Sequence, residues 1–156
     1  MDFESMLAAF SQAAAAGDAR RLTQLFTPDG CYHDYFFGTH RGHAEIAAML
    51  ERFSVGGERF GWQLLEPVAN SQLGYARYCF SYLSKEPESR GRLIVFEGMS
   101  RFRLQDGLIA DYAEVFDRRR RVRAARLRAG AGGQAAGSVH AGLARRRRGA
   151  RAPRVA

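Results

Sequence analysis

Four runs of residues with the composition and spacing of β-strands occupy most of the chain between residues 60 and 116. They span residues 60–68, 75–84, 92–104 and 108–116. The second run alternates strictly between two sets of side chains, which is typical of a strand that buries one face. The last two runs are joined by Gln105-Asp106-Gly107, and Asp-Gly is a strong signal for a hairpin turn. The pattern predicts an antiparallel sheet built from hairpins.

Helices are predicted before these strands. Residues 3–16 have apolar side chains at helical spacing, and Gly17 follows as a C-cap. Asp18 is a suitable N-cap for a second, shorter helix, and residues 43–54 predict a third. With a short aromatic strand at residues 31–37, the order is α-α-β-α-β-β-β-β. It predicts an α+β fold in which a strongly curved antiparallel sheet packs on three N-terminal helices, as a cone around an apolar cavity.

The aromatic strand contains an ionisable residue, Asp34. Thr27-Pro28-Asp29-Gly30 predicts a turn before the strand, and a Gly/Arg loop follows it. Alternation places Tyr32, Asp34 and Phe36 on one face, and Cys31, His33 and Tyr35 on the other. A carboxyl group among aromatic rings has its charged form disfavoured, which is how general acids and bases are tuned. The alternative is a solvated aspartate at a strand end.

The last predicted strand offers a second acid. Alternation there puts Tyr112, Glu114 and Phe116 on one face and Asp111 on the opposite face. Glu114 is therefore the second candidate acid of the cavity.

The charge is divided unevenly along the chain. Residues 1–117 contain 11 Lys and Arg and all 16 Asp and Glu, a net charge of −5, whereas residues 118–156 contain 13 Arg and no acid. The first part therefore has no basic excess that would favour nucleic-acid binding. The second part has few large apolar residues and is predicted to be a disordered tail.

Other sequence features exclude several classes of protein. Cys31 and Cys79 lack the spacing of a metal motif, and the His40 and His43 pair has no carboxylate neighbour, so no metal site is predicted. Two cysteines without a disulfide framework favour a reduced, cytoplasmic protein. The acidic N-terminus is not followed by a long apolar run, so neither a signal peptide nor a membrane span is expected.

Several short motifs, in this order, resemble the nuclear transport factor 2-like superfamily, which includes SnoaL-type polyketide cyclases, ketosteroid isomerases and limonene epoxide hydrolases. The motifs are Ala16-Gly17-Asp18, Leu25-Phe26-Thr27-Pro28-Asp29-Gly30, Tyr32-His33-Asp34, Gly38…Arg41-Gly42…Ile46, Phe102…Asp106-Gly107-Leu108-Ile109 and Tyr112-Ala113-Glu114-Val115-Phe116-Asp117. The resemblance covers residues 1–117. It implies the cone-shaped fold, and it leaves the reaction open because this fold supports many chemistries.

Compared with ketosteroid isomerases, the resemblance is incomplete. Asp34 falls on the proton-shuttling aspartate of that family. Phe10 stands where the isomerases have a tyrosine that stabilises the enolate oxygen, and Gly98 stands near their partner acid. The neighbouring Glu97 is expected to face the other way. The isomerase reaction is therefore not predicted.

The limonene epoxide hydrolase pattern fits more of the chain. Tyr32 and Asp34 fall where that family holds its nucleophilic water, Arg77 falls on its arginine and Glu114 on one of its two aspartates. The other aspartate position is occupied by Cys79.

Of the three enzyme types, the SnoaL-type cyclases require the fewest site residues: one acid in an apolar cavity, with no metal and no cofactor. The leading prediction is thus a cofactor-free enzyme for a small hydrophobic molecule, with Asp34 as general acid/base assisted by Arg77 and Glu114. The predicted substrate-binding residues are Phe10, Tyr32, Phe36, Trp62, Cys79, Tyr112 and Phe116. The alternative is a non-catalytic ligand-binding or dimerisation module. The outward residues Met99, Arg101 and Arg103 suggest a homodimer formed through the sheet.

Two interpretations of residues 118–156 are considered. An arginine-rich arm that binds RNA or an anionic surface would give a strongly salt-dependent affinity. We favour a frame-shifted C-terminus, because DNA encoding residues 120–131 can be written so that the neighbouring frame encodes an apolar segment resembling a closing helix. The coding DNA tests this hypothesis directly: it fails if no single-base shift opens such a frame.

Overall fold

A computed structural model describes residues 1–116; the predicted tail, residues 118–156, lies outside the described residues. Three α-helices and six strands make up this part. The helices are α1 (Phe3–Ala16), α2 (Ala19–Thr23) and α3 (Gly42–Phe53). The strands are β1 (Phe26–Asp34), β2 (Gly38–Arg41), β3 (Gly57–Ala69), β4 (Leu73–Ser84), β5 (Leu93–Gln105) and β6 (Leu108–Phe116), with a 3₁₀ turn at Pro87–Ser89. The predicted α+β class is confirmed.

Capping residues mark both ends of α1 and the start of α2. The side chain of Asp2 accepts the backbone N–H of Ser5 at the start of α1. Gly17 ends that helix in the left-handed conformation with φ of 67°, a region that favours glycine. The carboxylate of Asp18 then caps α2. None of the helices within residues 1–116 has the length and apolarity needed to cross a bilayer.

The six strands form one open sheet in the order β2-β1-β6-β5-β4-β3. The expectation of a wholly antiparallel sheet is wrong at one pairing, because β1 and β6 run parallel. These two strands are separated in the chain by every other strand and by α3, so their connection is not a hairpin, and parallel pairing needs such a long connection. All other neighbouring strands pair antiparallel.

The structure also corrects the predicted aromatic strand at residues 31–37. Strand β1 begins at Phe26 and continues through Pro28-Asp29-Gly30, with an irregular register before Cys31, because β6 supplies a neighbouring strand. It ends at Asp34, and the predicted Gly/Arg loop contains strand β2. The turn between these strands, residues 35–37, is stabilised by Asp34, whose side chain accepts backbone N–H groups there.

The core lies between the helices and one face of the sheet, here called the inner face. Its fully buried side chains are Met6, Phe10, Leu22, Phe26, Ile46, Phe102, Ile109 and Tyr112. Phe10 of α1 lies at the centre, with ring centroids 5.0 Å from Tyr112 and 5.8 Å from both Trp62 and Phe102. Register irregularities in β3 coincide with positive φ at Arg59 and Glu66, a feature of bulges that bend a strand.

Candidate active site on the inner face of the sheet

A small cavity lies beside this core, at the end of α3 over the inner face of the sheet. It is lined by Asp34, Phe36, Phe53, Trp62, Tyr78, Phe80, Phe96, Glu114 and Phe116. Five of the six strands, or the turns that follow them, contribute to this lining. The free space is about 20 Å³, which is room for a water molecule. A larger ligand therefore requires side chains to move.

Aromatic rings form most of the cavity wall and its mouth. Trp62 lies 4.9 Å from Phe80, and Phe96 lies 5.1 Å from Phe116, between ring centroids. Phe36 contacts both Phe96 and Phe116, at 5.6 and 5.5 Å, yet 55% of its surface is exposed. It belongs to the short turn after β1. Movement of this ring is therefore the simplest way to widen the cavity.

Asp34 contributes a buried carboxylate at the end of β1. Only 8% of the residue is exposed. Its Oδ1 accepts the backbone N–H groups of Phe36 and Phe37, both at 2.7 Å. This local turn is a common use of aspartate, and it fixes the carboxylate at the cavity wall.

Glu114 on β6 is the second acid of the cavity. The hydroxyl of Tyr112 donates to its Oε2 at 2.8 Å, and the hydroxyl of Ser100 lies 3.0 Å from that of Tyr112. Burial raises the pKa of Glu114 to about 7, and the negative charge of Asp34 adds to the rise. Hydrogen bonds from Tyr112 and from the backbone of Tyr35 act in the opposite direction. Glu114 therefore exchanges a proton near neutral pH.

The part of the chain that the structure describes places no positively charged side chain in the cavity beside these two acids. Of the nine lining residues in the described chain, none is Lys, Arg or His. The charge of Asp34 therefore adds to the rise in the pKa of Glu114, and no cation among these lining residues opposes it. Two neighbouring carboxyl groups, one of which has a raised pKa, can supply a base and an acid together.

Two further groups can donate hydrogen bonds to a bound ligand. The indole Nε1 of Trp62 is buried and has no hydrogen-bond partner among residues 1–116, which is unusual for a buried donor. Burial and the charges of Glu114 and Asp34 raise the pKa of Tyr78 well above its ordinary value, so its hydroxyl keeps its proton. Sequence reasoning missed Tyr78 and the rings of Phe53, Phe80 and Phe96. The alternation of β4 already placed Tyr78 and Phe80 on one face and was the available signal.

Two of the predicted site residues lie outside the cavity, on the opposite, outer face of the sheet. Arg77 alternates with the inward Tyr78, and its Nε donates to Oε2 of Glu66 at 3.1 Å. Cys79 is buried on the same outer face, where it is the register partner of Glu97. Strand alternation is the reason, since Tyr78 and Phe80 take the inward positions. The inferred grouping of Arg77 and Cys79 with Asp34 is therefore wrong.

Three other predicted residues form the packed layer beneath the cavity. Phe10 stacks on Tyr32 with ring centroids 6.2 Å apart, and Tyr32 lies 4.5 Å from Tyr112. All three are at most 3% exposed. Burial raises the pKa values of Tyr32 and Tyr112, and the nearby carboxyl groups raise them further. These residues support the acids, whereas Asp34, Phe36, Trp62, Glu114 and Phe116 line the cavity itself.

Comparisons with known proteins agree with this fold. The protein-family model of the SnoaL-like domain matches residues 7–112 of the chain. No curated protein sequence matches the chain significantly.

Solved structures extend the comparison. TsrD from Streptomyces laurentii is 23% identical, with a TM-score of 0.64 over 75% of this chain and 91% of that one. An LEH-like epoxide hydrolase from M. tuberculosis is 18% identical, with a TM-score of 0.60 over 72% and 80%. A Catenulispora acidiphila protein with a ketosteroid isomerase-like fold, in complex with trimethylamine, is 16% identical, with a TM-score of 0.64 over 70% and 83%. At these identities the likeness establishes the fold alone.

Proposed function

The chain belongs to the family of SnoaL-like domains, and from this premise we propose that it is a cofactor-free enzyme that carries out acid/base chemistry on a small hydrophobic molecule. The observation that carries the proposal is the pair Asp34 and Glu114 in one aromatic cavity to which residues 1–116 contribute no Lys, Arg or His. The raised pKa of Glu114, about 7, supports a group that is protonated part of the time at neutral pH.

The proposal assigns the two acids different tasks. Asp34 is the base that removes a proton from carbon next to a carbonyl group, or from a water molecule. Glu114 is the acid that returns a proton to the product or to a leaving oxygen. The sequence suggests Asp34 as the main acid/base with Glu114 assisting; the raised pKa of Glu114 and its contact with Tyr112 favour a larger role for Glu114.

The donors of the cavity suit an oxygen that gains negative charge. The unpartnered N–H of Trp62 and the hydroxyl of Tyr78 are available to donate hydrogen bonds to an enolate or alkoxide. Donors positioned in advance stabilise such charge strongly in an apolar site. The aromatic wall would bind the hydrocarbon part of the substrate, which enters as Phe36 moves.

The experiment compares the full chain with Asp34→Asn and Glu114→Gln. Turnover and thermal shift are followed together on a panel of unsaturated ketones, polycyclic β-keto esters and epoxides. Glu97→Gln on the outer face of β5 is the matched control. Turnover lost in both cavity variants, with binding kept, supports the enzyme. Equal turnover in all four proteins would refute the roles of Asp34 and Glu114.

A second candidate is a binding module for small organic cations. Several aromatic rings and two acids, with no cationic side chain of residues 1–116 lining the cavity beside them, are surroundings that favour an alkylammonium group. The Catenulispora acidiphila relative is in complex with trimethylamine. Saturable thermal shifts with tetramethylammonium, weakened in Asp34→Asn and Glu114→Gln and accompanied by no turnover on the panel, would favour this candidate.

We further propose a homodimer through the outer face of the sheet. Met99 and Val115 are directly opposite each other in register on this face and are 46% and 65% exposed. Sedimentation of the full chain, compared with a Met99→Glu variant, tests the dimer. A cytoplasmic location stays a prediction.

A further inference from the structure

A second cluster of reactive side chains lies on the outer face of the sheet, away from the cavity. Cys31 and His33 are two residues apart on β1 and therefore point to the same side. Asp111 on β6 is the register partner of Cys31. One ligand atom from each residue lies within 4.8 Å of the others. The parallel pairing of β1 with β6 brings these groups together from positions 78 residues apart in the chain.

We propose that Cys31, His33 and Asp111 form a binding site for Zn²⁺ or a similar divalent transition metal. A thiolate sulfur, an imidazole nitrogen and a carboxylate oxygen are all established zinc ligands, and a water molecule completes the tetrahedron. Thiolate and imidazole together favour such a metal over Mg²⁺ or Ca²⁺, which prefer oxygen. The side chains of His33 and Asp111 are 39% and 25% exposed, so the metal and the water can enter from solvent.

The neighbours of these ligands already hold them in position. The Nδ1 of His33 lies 2.9 Å from the hydroxyl oxygen of Thr39, which can accept its N–H and leave Nε2 free as a ligand. Arg101 donates to Oδ1 of Asp111, leaving Oδ2 toward the metal. Metal-binding histidines and carboxylates usually have such outer hydrogen bonds.

Binding requires one contact to be exchanged. Nε2 of His33 and Oδ2 of Asp111 lie 2.8 Å apart, and the metal must enter between these two atoms. Nε2 then presents its lone pair to the metal while Nδ1 holds the ring proton toward Thr39, and the thiol of Cys31 releases its proton to solvent. Binding therefore strengthens as the pH rises. The metal would join β1 to β6 and takes no part in the chemistry of the cavity on the other face.

The test uses Co²⁺ as a coloured substitute for Zn²⁺ with the reduced full chain. Thiolate ligation gives a charge-transfer band in the near ultraviolet, and tetrahedral geometry gives strong visible bands. We expect both in the wild type, and displacement of Co²⁺ by Zn²⁺. Cys31→Ser should abolish the charge-transfer band, and His33→Gln should weaken binding at least tenfold. Circular dichroism checks that each variant is folded.

Matched controls separate this site from other ligands in the chain. Cys79→Ser changes the other buried cysteine, and His43→Gln changes a histidine whose Nε2 contacts the carbonyl of Phe26. Both should keep the wild-type spectrum. Glu114→Gln should also bind Co²⁺ normally, even where it loses turnover. A wild type without the bands, or a Cys31→Ser variant that keeps the charge-transfer band, would overturn the proposal.

Discussion

Strand β6 carries two acids in opposite surroundings, Glu114 on the inner face and Asp111 on the outer face. Glu114 lies among aromatic rings and beside another acid, and burial raises its pKa to about 7. Asp111 is also partly desolvated, which by itself would raise its pKa, but hydrogen bonds and charge from His33 and Arg101 hold the pKa below its ordinary value. Positions three residues apart thus differ because, among the described residues, the outer face supplies cationic partners and the cavity lining does not.

The comparison shows what an acid/base site requires from this fold. A carboxyl group paired with Arg101 stays ionised at neutral pH and has no proton to give. A carboxyl group left without a cation retains its proton up to neutral pH, at a cost in stability. Substitutions on one face at a time therefore separate the two surroundings.

The largest effect is expected for Glu114→Gln on turnover. Glutamine keeps the size of the side chain and can still accept the hydroxyl proton of Tyr112, but it cannot exchange a proton. Loss of a general acid typically costs roughly a hundredfold to ten-thousandfold. We expect kcat/KM for the substrate found in the panel to fall by at least about a hundredfold. Glu97→Gln, on the outer face, should leave it within a factor of about two.

Glu114→Gln should also remove a pH-dependent decrease in the free energy of unfolding. The pKa of Glu114 rises from 4.5 to about 7 on folding, so folding favours its protonated form. The stabilisation by the protonated carboxyl group is present at low pH and is lost as the pH rises from 4.5 through about 7. Relative to Glu114→Gln, the unfolding free energy of the wild type should fall by about 3 kcal/mol as the pH rises through these values. Urea unfolding at several pH values measures it, and a difference that is independent of pH would contradict the raised pKa.

A smaller effect is expected at the mouth of the cavity. Phe36→Ala removes a half-exposed ring that contacts Phe96 and Phe116. We expect KM to rise roughly threefold to tenfold, about 1 kcal/mol, with kcat little changed, because apolar contact with the substrate is lost. Val115→Ala removes an exposed apolar side chain from the outer face and is the control. A selective fall in kcat would instead assign Phe36 a role in the chemical step.

The smallest effect is expected for Asp111→Asn on the outer face. Its ion pairs with His33 and Arg101 are partly exposed, so the loss in metal-free buffer should be below about 1 kcal/mol. Because the pKa of Asp111 is lowered on folding, its stabilisation is present at neutral pH and disappears as the pH falls below its ordinary value. This dependence has the opposite sign to that of Glu114. Unfolding curves that show the same sign for both acids would contradict the difference between the faces.

Part of this arrangement follows from the pattern within a single strand. Alternation alone places Tyr112, Glu114 and Phe116 on one face of β6 and Asp111 on the other, and the register with β5 agrees. Helix caps such as Gly17 are equally local and were predicted correctly. The antiparallel pairs β3–β4, β4–β5 and β5–β6 also follow from short connections, because strands joined by a short connection pair with each other.

The rest depends on contacts between distant parts of the chain. The parallel pairing of β1 with β6 joins residues 80 or more positions apart, for example Tyr32 with Tyr112, and no local signal specifies it. The turn at residues 35–37 forms because the Asp34 side chain captures two backbone N–H groups, which overrides the strand propensity of Tyr35, Phe36 and Phe37. The family resemblance groups Arg77 with the cavity, whereas the observed register places it on the outer face beside Glu66.

The most direct test of the account is an NMR titration of the carboxyl carbon of Glu114 in the full chain, assigned by its disappearance in Glu114→Gln. We predict a midpoint near pH 7 in the wild type, because burial and the charge of Asp34 both oppose ionisation. The midpoint should move lower in Asp34→Asn, where that charge is removed. A midpoint near 4.5 that is unchanged in Asp34→Asn would show that the two acids do not form a coupled pair in an apolar cavity.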